Sequence, residues 1–465
     1  MTHPDLVLGI DSSTQSTKAV LVDAHDGSVV HAGSAPHPQG TAVDPRAWLH
    51  AFDIATAGLL DRASAVSVGG QQHGMIALDT AGEPVHDALL WNDTRSAAEA
   101  ETLVAELGGP EVCARTVGSV LVASFTSTKL RWLRDHEPEA AGRVAQVLLP
   151  HDYVSRHISG GDAFTDRGDA SGTGYWSTVD DRWLPELAAQ AVGHEVGLPR
   201  VVASSEVADV AGSSGLVVGA GTGDNAAAAL GLDLRPGDVV VSIGTSGVAS
   251  AISADPVVDG SGGVTGFADA TRHFLPLVAT INAARILQLQ ARLLGVDLHE
   301  LGRLALAAPP GSHGLTLLPY YDGERTPNRP DATGVWSGLT TSTSREDLAR
   351  AAVEALLCSL ADAVDQLTAA TGVAPRRLLM IGGAARNAAV RQIAPAIFGR
   401  PVTIPEPGEY VARGAARQAA WALSGASTPP DWPDVPSETF DAIPTPQVRE
   451  AYARLRDRDR DEARP

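Results

Sequence analysis

Two short stretches of sequence, LVLGIDSSTQSTKAVLV at residues 6–22 and VVVSIGTSGVASAI at residues 239–252, decide the predicted fold. Each has an apolar run, a glycine, a turn rich in serine or threonine, and a second apolar run, which together predict a β-hairpin. The equivalent glycines, Gly9 and Gly244, are 235 residues apart, close to half of the 465-residue chain. A duplicated domain would explain this spacing, but small-residue hairpins are common in α/β proteins and the match is open to coincidence.

The remaining sequence alternates short apolar runs with longer helical patterns, which predicts an α/β fold with two similar domains. The turn sequence LRPGD separates an N-terminal domain, residues 1–235, from a C-terminal domain, residues 236–465. Inside the second domain, residues 424–436 form a Pro-rich connector that precedes a charged terminal helix.

Local signals place individual elements. Ala65 to Val68 is a predicted strand that ends in two glycines. A helix is predicted over residues 44–60, capped by Asp44 and with a proline in its first turn. Another is predicted to begin at Ser344, with Asp347 in the third position as a near capping box.

The composition limits the classes of partner. The chain has 55 Asp and Glu against 35 Lys and Arg, giving a formal charge of −20, so we expect neither nucleic-acid nor membrane binding. Only Lys18 and Lys129 are lysines, so a bound phosphate would depend on backbone amides, a metal ion or very few side chains.

The two cysteines, Cys113 and Cys358, lack a second Cys or His at metal-ligand spacing. The N-terminal sequence has no signal-peptide pattern, and no apolar stretch approaches the ~20 residues of a membrane span. These features predict a soluble cytoplasmic protein in a reducing compartment.

The first candidate site is Asp11 with the hydroxyl-rich turn that follows it. Closely spaced amides and hydroxyls can bind a phosphate, Lys18 adds an ammonium group, and Asp11 is suited to magnesium. The alternative is a polar hairpin whose aspartate bonds to its own turn.

The second candidate is Asp224 in VVGAGTGDNAAAALGL, residues 217–232. It lies where a strand passes through glycines into an alanine-rich helix. An aspartate there can be an N-cap worth ~1 kcal/mol, or a base that accepts a proton from a hydroxyl attacking a phosphoryl group. The sequence leaves both open.

Three further segments carry clustered polar or small residues. Gly382 and Gly383 form a strand-to-helix turn that matches neither the P-loop nor the G-x-G-x-x-G pattern and is a weak signal alone. GGQQHG at residues 69–74 and LLWNDTR at residues 89–95 present groups suited to a sugar, although a structural histidine or an internal salt bridge explains either one singly.

Taken together, these segments resemble the FGGY family of carbohydrate kinases. Eight matching motifs occur in order: IDSSTQSTK at 10–18, QQHG at 71–74, LLWNDTR at 89–95, LLPHDY at 148–153, DNAAAALG at 224–231, SIGTSG at 242–247, GERTP at 323–327 and IGGAAR at 381–386.

The resemblance implies two actin-like, ribonuclease-H-like (ASKHA) domains with a central cleft for ATP and sugar. It implies ATP-dependent sugar phosphorylation with Mg²⁺ and closure of the domains. The pattern is most similar to family members that phosphorylate D-xylulose at the 5-hydroxyl, and a homodimer is possible by analogy. The alternatives are a kinase of another ketose or polyol, such as ribulose or L-xylulose, and a non-catalytic actin-like protein that binds sugar or nucleotide.

The resemblance also implies roles for particular residues. Asp224 corresponds to the catalytic base and Asp11 to the residue associated with magnesium. The other matching positions are Gln72, His73, Trp91, Asp93 and Asn225 for the sugar, Thr14, Lys18, Gly244 and Thr245 for the phosphates, and Gly382, Gly383 and Asn387 for the adenosine.

Three positions depart from the family pattern, and one of them, Thr222, interrupts a glycine run just before Asp224. Gln72 stands where methionine is expected, which replaces an apolar wall by a hydrogen-bonding one and makes the choice of sugar less certain. Ala384 replaces a frequent third glycine, which is tolerated unless φ there is positive.

Overall fold

The computed structural model describes residues 5–462, which form two compact α/β units. The first comprises Met1–Leu234, Ala254–Leu275 and Gly408–Asp434; the second comprises Arg235–Ser253, Pro276–Pro407 and Val435–Pro465. The first segment of the first unit therefore ends at Leu234, one residue before the domain boundary expected at residue 235. The expected contiguous division differs from these units because residues 254–275 and 408–434 pack with the first unit.

The described residues contain these strands: β1 Leu6–Ser12, β2 Ser16–Asp23, β3 Val29–Pro36, β4 Ala42–Val43, β5 Ala65–Gly70, β6 Ile76–Leu78, β7 Ala88–Leu89, β8 Gln146–Leu148, β9 Phe164–Thr165, β10 Trp176–Ser177, β11 Arg182–Trp183, β12 Arg200–Val201, β13 Val207–Ala211, β14 Leu216–Gly219, β15 Thr222–Gly223, β16 Asp238–Ile243, β17 Gly247–Ala251, β18 Thr265–Ala268, β19 Phe274–Thr280, β20 Thr316–Leu318, β21 Val335–Ser337, β22 Arg377–Ile381, β23 Val402–Pro405 and β24 Ser437–Phe440.

The α-helices of the same residues are α1 Arg46–Ala55, α2 Ala97–Glu106, α3 Pro110–Val117, α4 Thr126–His136, α5 Pro138–Ala141, α6 Pro150–Ser159, α7 Arg167–Ala170, α8 Pro185–Val192, α9 Asp224–Gly231, α10 Ala284–Leu294, α11 Leu298–Ala307, α12 Arg345–Thr371, α13 Ala388–Phe398, α14 Tyr410–Ser424 and α15 Pro446–Glu462.

The two units repeat one sheet topology. In the first, the strand order is β13-β14-β5-β1-β2-β3; in the second, β24-β23-β22-β16-β17-β19 follows the same path. Each sheet is centred on one of the predicted hairpins. In the first unit this is β1–β2, and β1 pairs in parallel with β5; in the second it is β16–β17, and β16 pairs in parallel with β22. The internal repeat seen in the sequence is therefore a repeat of structure.

The central sheet of the first unit is buried on both faces. Leu8 and Ile10 pack in one cluster with Trp48 and Phe52 of α1. Val7, on the opposite face because strand side chains alternate, belongs to a cluster that includes alanines of α14. Helices on both faces explain why β1 is buried at nearly every position.

The helix boundaries follow their caps. The Ser344–Asp347 capping box is present, and α12 begins at the next residue, as expected. The helix expected over residues 44–60 is shorter, since α1 ends at Ala55 and the following turn has Gly58 at φ 73°. The N-cap position of α1 belongs to Pro45 and no side chain caps it, so the expected cap at Asp44 is wrong, although Asp44 accepts a hydrogen bond from the amide of Arg46 at 3.0 Å.

The Pro-rich connector is anchored to the first unit. Trp432 is buried and donates from its indole nitrogen to the carbonyl of Ala24 at 3.0 Å. The guanidinium of Arg413 lies over its ring at 5.2 Å from the centroid. Across the described part of the chain, no helix combines the length and apolar character needed to span a bilayer.

Candidate active site

The first candidate group is the β1–β2 turn, where the strand register places Asp11 opposite Lys18. Asp11 is 6% exposed, and its Oδ1 atom has no hydrogen-bond partner among residues 5–462. Burial, with the negative charge of Asp224 adding to it, raises the pKa of Asp11 to about 7. A buried carboxylate with an unsatisfied oxygen is a position that a cation would stabilise.

Lys18 already has a partner in this structure. Its Nζ atom donates to Oε2 of Glu409 at 2.6 Å, and both side chains are partly exposed. Glu409 directly precedes α14 and lies 391 residues after Lys18 in the sequence. The sequence around Lys18 therefore gives no sign of this ion pair. Because a partly exposed ion pair contributes little to stability, Lys18 can exchange this carboxylate for a phosphate at small cost.

The second lysine, Lys129, is a buried structural group. Its Nζ atom donates to the carbonyl oxygens of Ala123, at 3.1 Å, and of Ser124. Burial lowers its pKa to about 7, and no carboxylate within the described residues pairs with it. Replacing Lys129 would therefore disturb folding, so it is a poor reference for testing the function of Lys18.

Asp224 is the first residue of α9, and the N-cap position belongs to Gly223. Its Oδ1 atom accepts hydrogen bonds from the amide of Asn225 at 2.7 Å and from Nδ2 of that residue at 3.0 Å. Burial raises the pKa of Asp224 to about 6, so the carboxylate is ionised at neutral pH. One oxygen is thus held in place while the other accepts no hydrogen bond from the residues described.

Gln72 and His73 follow the end of β5 and are both buried. Gln72 Oε1 accepts from Asn225 Nδ2 at 3.1 Å, which links it to Asp224 through one amide group. Its Nε2 atom is without a partner among the described residues. This amide donor is buried, and its side chain is linked to Asp224 through Asn225.

His73 is held in a rare backbone conformation, with φ at 68°. Its Nδ1 atom lies 2.5 Å from the carbonyl oxygen of Gly172, and its ring packs against Phe125 and Phe267. Its own carbonyl accepts from the Thr126 hydroxyl at 3.0 Å. Strain of this kind persists only where the surroundings determine the conformation, as at ligand sites.

The side chains of Trp91 and Asp93 differ in exposure and in their hydrogen-bond partners. Trp91 is 40% exposed, and its indole nitrogen donates to the hydroxyl of Thr14 at 3.0 Å, so two predicted site residues meet. Asp93 is buried, and its two oxygens accept from Arg95 and Thr41 at 2.8–2.9 Å. This arrangement favours the internal salt bridge for Asp93, and its contact with sugar stays a prediction.

In the second unit, the predicted phosphate turn joins β16 to β17. Gly244 and Thr245 are exposed there. Gly382, at φ 96°, lies against the backbone of Ile243, and a Cβ atom would stand 2.6 Å from its carbonyl oxygen. The turn that follows β22 therefore packs against the end of β16, and only glycine fits at residue 382.

The remaining residues of this turn are explained by local structure. A Cβ atom at Gly383 would meet no atom within 4 Å, and Ala384 is absent from the positive-φ residues of the described chain, so its side chain causes no strain. Asn387 is the N-cap of α13, accepting from Ala389 at 2.9 Å and donating to the carbonyl of Leu298 at 2.8 Å. Its contact with adenosine stays a prediction.

Comparison with known proteins decides the family. Profiles of the FGGY family of carbohydrate kinases match residues 6–231, as the N-terminal domain, and residues 239–423, as the C-terminal domain. The chain belongs to this FGGY family. It is therefore a carbohydrate kinase, an enzyme that uses ATP as a substrate.

Similar FGGY kinases include the xylulose kinase of Streptomyces coelicolor, 47% identical over 455 residues, which are 94% of this chain and 93% of that protein. The crystal structure of xylulose kinase from Bifidobacterium adolescentis has a TM-score of 0.91 at 45% identity, covering 97% of this chain and 99% of that one. Plasmodium falciparum glycerol kinase with ADP, at 19% identity, TM-score 0.86 and 98% coverage of both chains, shares the fold. The predicted two-domain kinase fold is confirmed.

Sequence reasoning missed several residues that lie against the candidate site residues or against the segments that carry them. Glu409 is one, since the only signal for it is its charge. A buried group around His151 is another, comprising His151, Asp152, Asp166 and Asp169. One sequence signal could have indicated this buried group: ionisable residues occur within otherwise apolar or small-residue segments, as do His151 and Asp152 within LLPHDY.

Proposed function

We propose that this protein transfers the γ-phosphoryl group of ATP to the 5-hydroxyl of D-xylulose, giving D-xylulose 5-phosphate and ADP. Relatives named xylulose kinase at 45–47% identity, matched over 90% or more of this chain, support the choice of sugar. The observation that carries the chemistry is the linked group of Asp224, Asn225 and Gln72. It places a carboxylate beside hydrogen-bonding groups suited to a polyhydroxylated substrate.

Asp224 acts as the general base. With its pKa at about 6, it is ionised at pH 7 yet basic enough to take the proton of the attacking hydroxyl. The bonds from Asn225 to Oδ1 fix the carboxylate and leave Oδ2 to face the substrate. A base positioned in this way contributes a rate factor of ~10² to 10⁴.

Asp11 and Lys18 serve the phosphate side. Among the residues described, no three His, Cys, Asp or Glu side chains are placed so that they could hold a metal ion together. We propose that magnesium arrives with the nucleotide and contacts one carboxylate. The unsatisfied Oδ1 of Asp11 is the atom suited to it. Bound magnesium would supply positive charge that offsets the charge of the phosphoryl groups.

The backbone turns of the second unit would hold the nucleotide. The exposed Gly244 and Thr245 offer an amide and a hydroxyl, and open space beside Gly383 admits a flat or charged group. Most phosphoryl-transfer catalysis comes from positioning, so these turns need no further catalytic side chain. A homodimer remains an expectation from the family resemblance, and a cytoplasmic location remains one from the cysteine content and the hydropathy of the sequence.

The test is ADP release coupled to NADH oxidation, with magnesium-ATP and a panel of D-xylulose, L-xylulose, ribulose, hexuloses and polyols. D-xylulose is expected to give the highest kcat/KM. Higher kcat/KM for another sugar would replace D-xylulose by that substrate, and no sugar-dependent turnover would refute the kinase assignment.

Asp224→Asn tests the base. We expect kcat to fall by about 10²-fold or more with retained xylulose binding, since general-base catalysis is removed. In the unchanged enzyme, kcat/KM should fall as pH drops through about 6, because protonation inactivates the base. The control is Asp53→Asn, at a surface aspartate with 63% of its side chain exposed. Unchanged turnover in folded Asp224→Asn would rule out this role.

A further inference from the structure

His151 is a fully buried histidine between two buried carboxylates. It is the second residue of α6, and its Nδ1 atom lies 2.6 Å from Oδ2 of Asp169. On the other side of the ring, Nε2 is 3.1 Å from Oδ1 of Asp152. All three side chains have no exposed surface, so the Nδ1–Asp169 hydrogen bond lies in a region of low dielectric, whereas His151 Nε2 and Asp152 Oδ1 are close but have no hydrogen-bond partner among the described residues.

The same histidine touches the two backbone segments that lead into the candidate active site. A Cβ atom on Gly70, just before Gln71 to His73, would lie 2.8 Å from His151 Cβ. One on Gly221, three residues before Asp224, would lie 2.4 Å from Cδ2 of the ring. Both segments therefore pass against His151 so closely that no side chain fits between.

The Asp169 side of the pair is joined to these segments by further bonds. Asp166, the N-cap of α7, accepts from the Asp169 amide and from the hydroxyl of Thr222, both at 2.8 Å. Beyond this short helix, the carbonyl of Gly172 contacts His73 Nδ1. The segment from residue 166 to residue 172 thus bonds to the base segment at one end and to the sugar segment at the other.

We propose that the buried His151–Asp169 pair is a positioning unit that fixes the segment carrying Gln72 and His73 relative to the segment carrying Asp224. This inference rests on the proposed function, since it assigns those segments to sugar and base. An apolar ring would fill the same space, but the directional bond to Asp169 fixes the ring orientation against both glycines. Proton sharing within the pair is consistent with the pKa of Asp169, which burial and the charge of Asp224 hold well above its usual range.

The experiment compares His151→Phe, Asp169→Asn and the double variant in the xylulose assay, with thermal unfolding measured for each. We expect each single variant to lower kcat about 10-fold or more and to raise the KM for xylulose, because misplacement of about 1 Å is costly in phosphoryl transfer. The KM for ATP should not change. The double variant should be no worse than the more severe single variant, because the two residues act as one unit.

Two further variants complete the design. His136→Phe is the matched control, because His136 also pairs with a carboxylate, Glu99, at 2.9 Å, and should keep wild-type kinetics. Thr222→Val removes the hydroxyl that joins Asp166 to the base segment, and kcat should fall several-fold. This variant decides the test if His151→Phe does not fold.

Wild-type kcat and KM in folded His151→Phe, or independent multiplicative losses in the double variant, would overturn the proposal. If His151→Phe does not fold, unchanged kcat in Thr222→Val would overturn it. Absence of xylulose turnover in the wild-type enzyme would instead refute the proposed function, so the two failures are distinguishable.

Discussion

The side-chain amide of Asn225 links two residues of the candidate site. Its Nδ2 group donates both to Asp224 and to Gln72, so the proposed base and a proposed sugar-binding side chain are fixed by one planar group. Gln72, which departs from the family pattern, thereby gains a structural partner that methionine could not provide. Its Nε2 donor is buried and has no partner among the described residues.

Lys18 offers a test at this scale. For Lys18→Met we expect kcat/KM for ATP to fall about 10- to 100-fold, since one charge-assisted bond to the developing phosphoryl charge is lost. The unfolding temperature should hardly change, because the Glu409 partner is partly exposed. Steady-state kinetics at varied ATP concentration provide the measurement.

The control is Arg46→Met, which removes a cation that is 63% exposed and paired with Asp44 at 2.8 Å. This variant should retain wild-type kinetics. If both substitutions lowered kcat/KM for ATP equally, the proposed phosphate-binding role of Lys18 would be refuted.

Among the elements, the packing of α9 on α14 determines where Asp224 stands. A Cβ atom on Gly414 would lie 1.8 Å from the carbonyl oxygen of Ala227, and one on Gly231 would lie 2.2 Å from that of Tyr410. The two helix backbones are therefore in direct contact. Since Asp224 begins α9, any separation of these helices moves the base.

Gly414→Ala should accordingly weaken both stability and activity. We expect the free energy of unfolding to fall by about 2–3 kcal/mol, as for other overpacked contacts, and kcat to fall with it. Urea unfolding and xylulose turnover measure the two effects. Ser424→Ala, at the exposed end of the same helix, should change neither by a comparable amount. Retention of both properties by Gly414→Ala would show that the contact adapts without moving α9.

For the molecule as a whole, the notable property is its content of buried carboxyl groups. Burial raises the pKa to about 7 for Asp11 and Asp152, and to about 6 for Asp166 and Asp224. The stability due to these raised values is fully present below the unfolded pKa of 3.8 and is lost as pH rises through 6 to 7. The ligand-free protein should therefore lose stability as pH increases across this range.

Urea unfolding between pH 4 and pH 8 measures this dependence. Asp152→Asn should reduce its slope by up to about 1.4 kcal/mol per pH unit between pH 4 and pH 7, the contribution of one such group. Asp53→Asn, at an exposed position, should leave the slope unchanged. An identical slope in Asp152→Asn would mean that this carboxyl group is ionised in the folded protein throughout.

Much of the architecture was predictable because it follows from local chemistry. The hairpins at residues 6–22 and 239–252 follow from their apolar periodicity, and the start of α12 follows from Ser344 and Asp347. Where α1 ends was not predictable, since an apolar stripe can continue beyond the point at which the backbone turns at Gly58.

The repeated hairpins, the family and the position of Asp224 at the start of a helix could all be read from the sequence, because they depend on neighbours within a few residues or on an ordered set of motifs. Tertiary packing alone brings Lys18 to Glu409 and Trp91 to Thr14, and places His151 against both Gly70 and Gly221. Such contacts join residues tens to hundreds of positions apart. Their formation depends on how strands and helices pack, which no local pattern specifies.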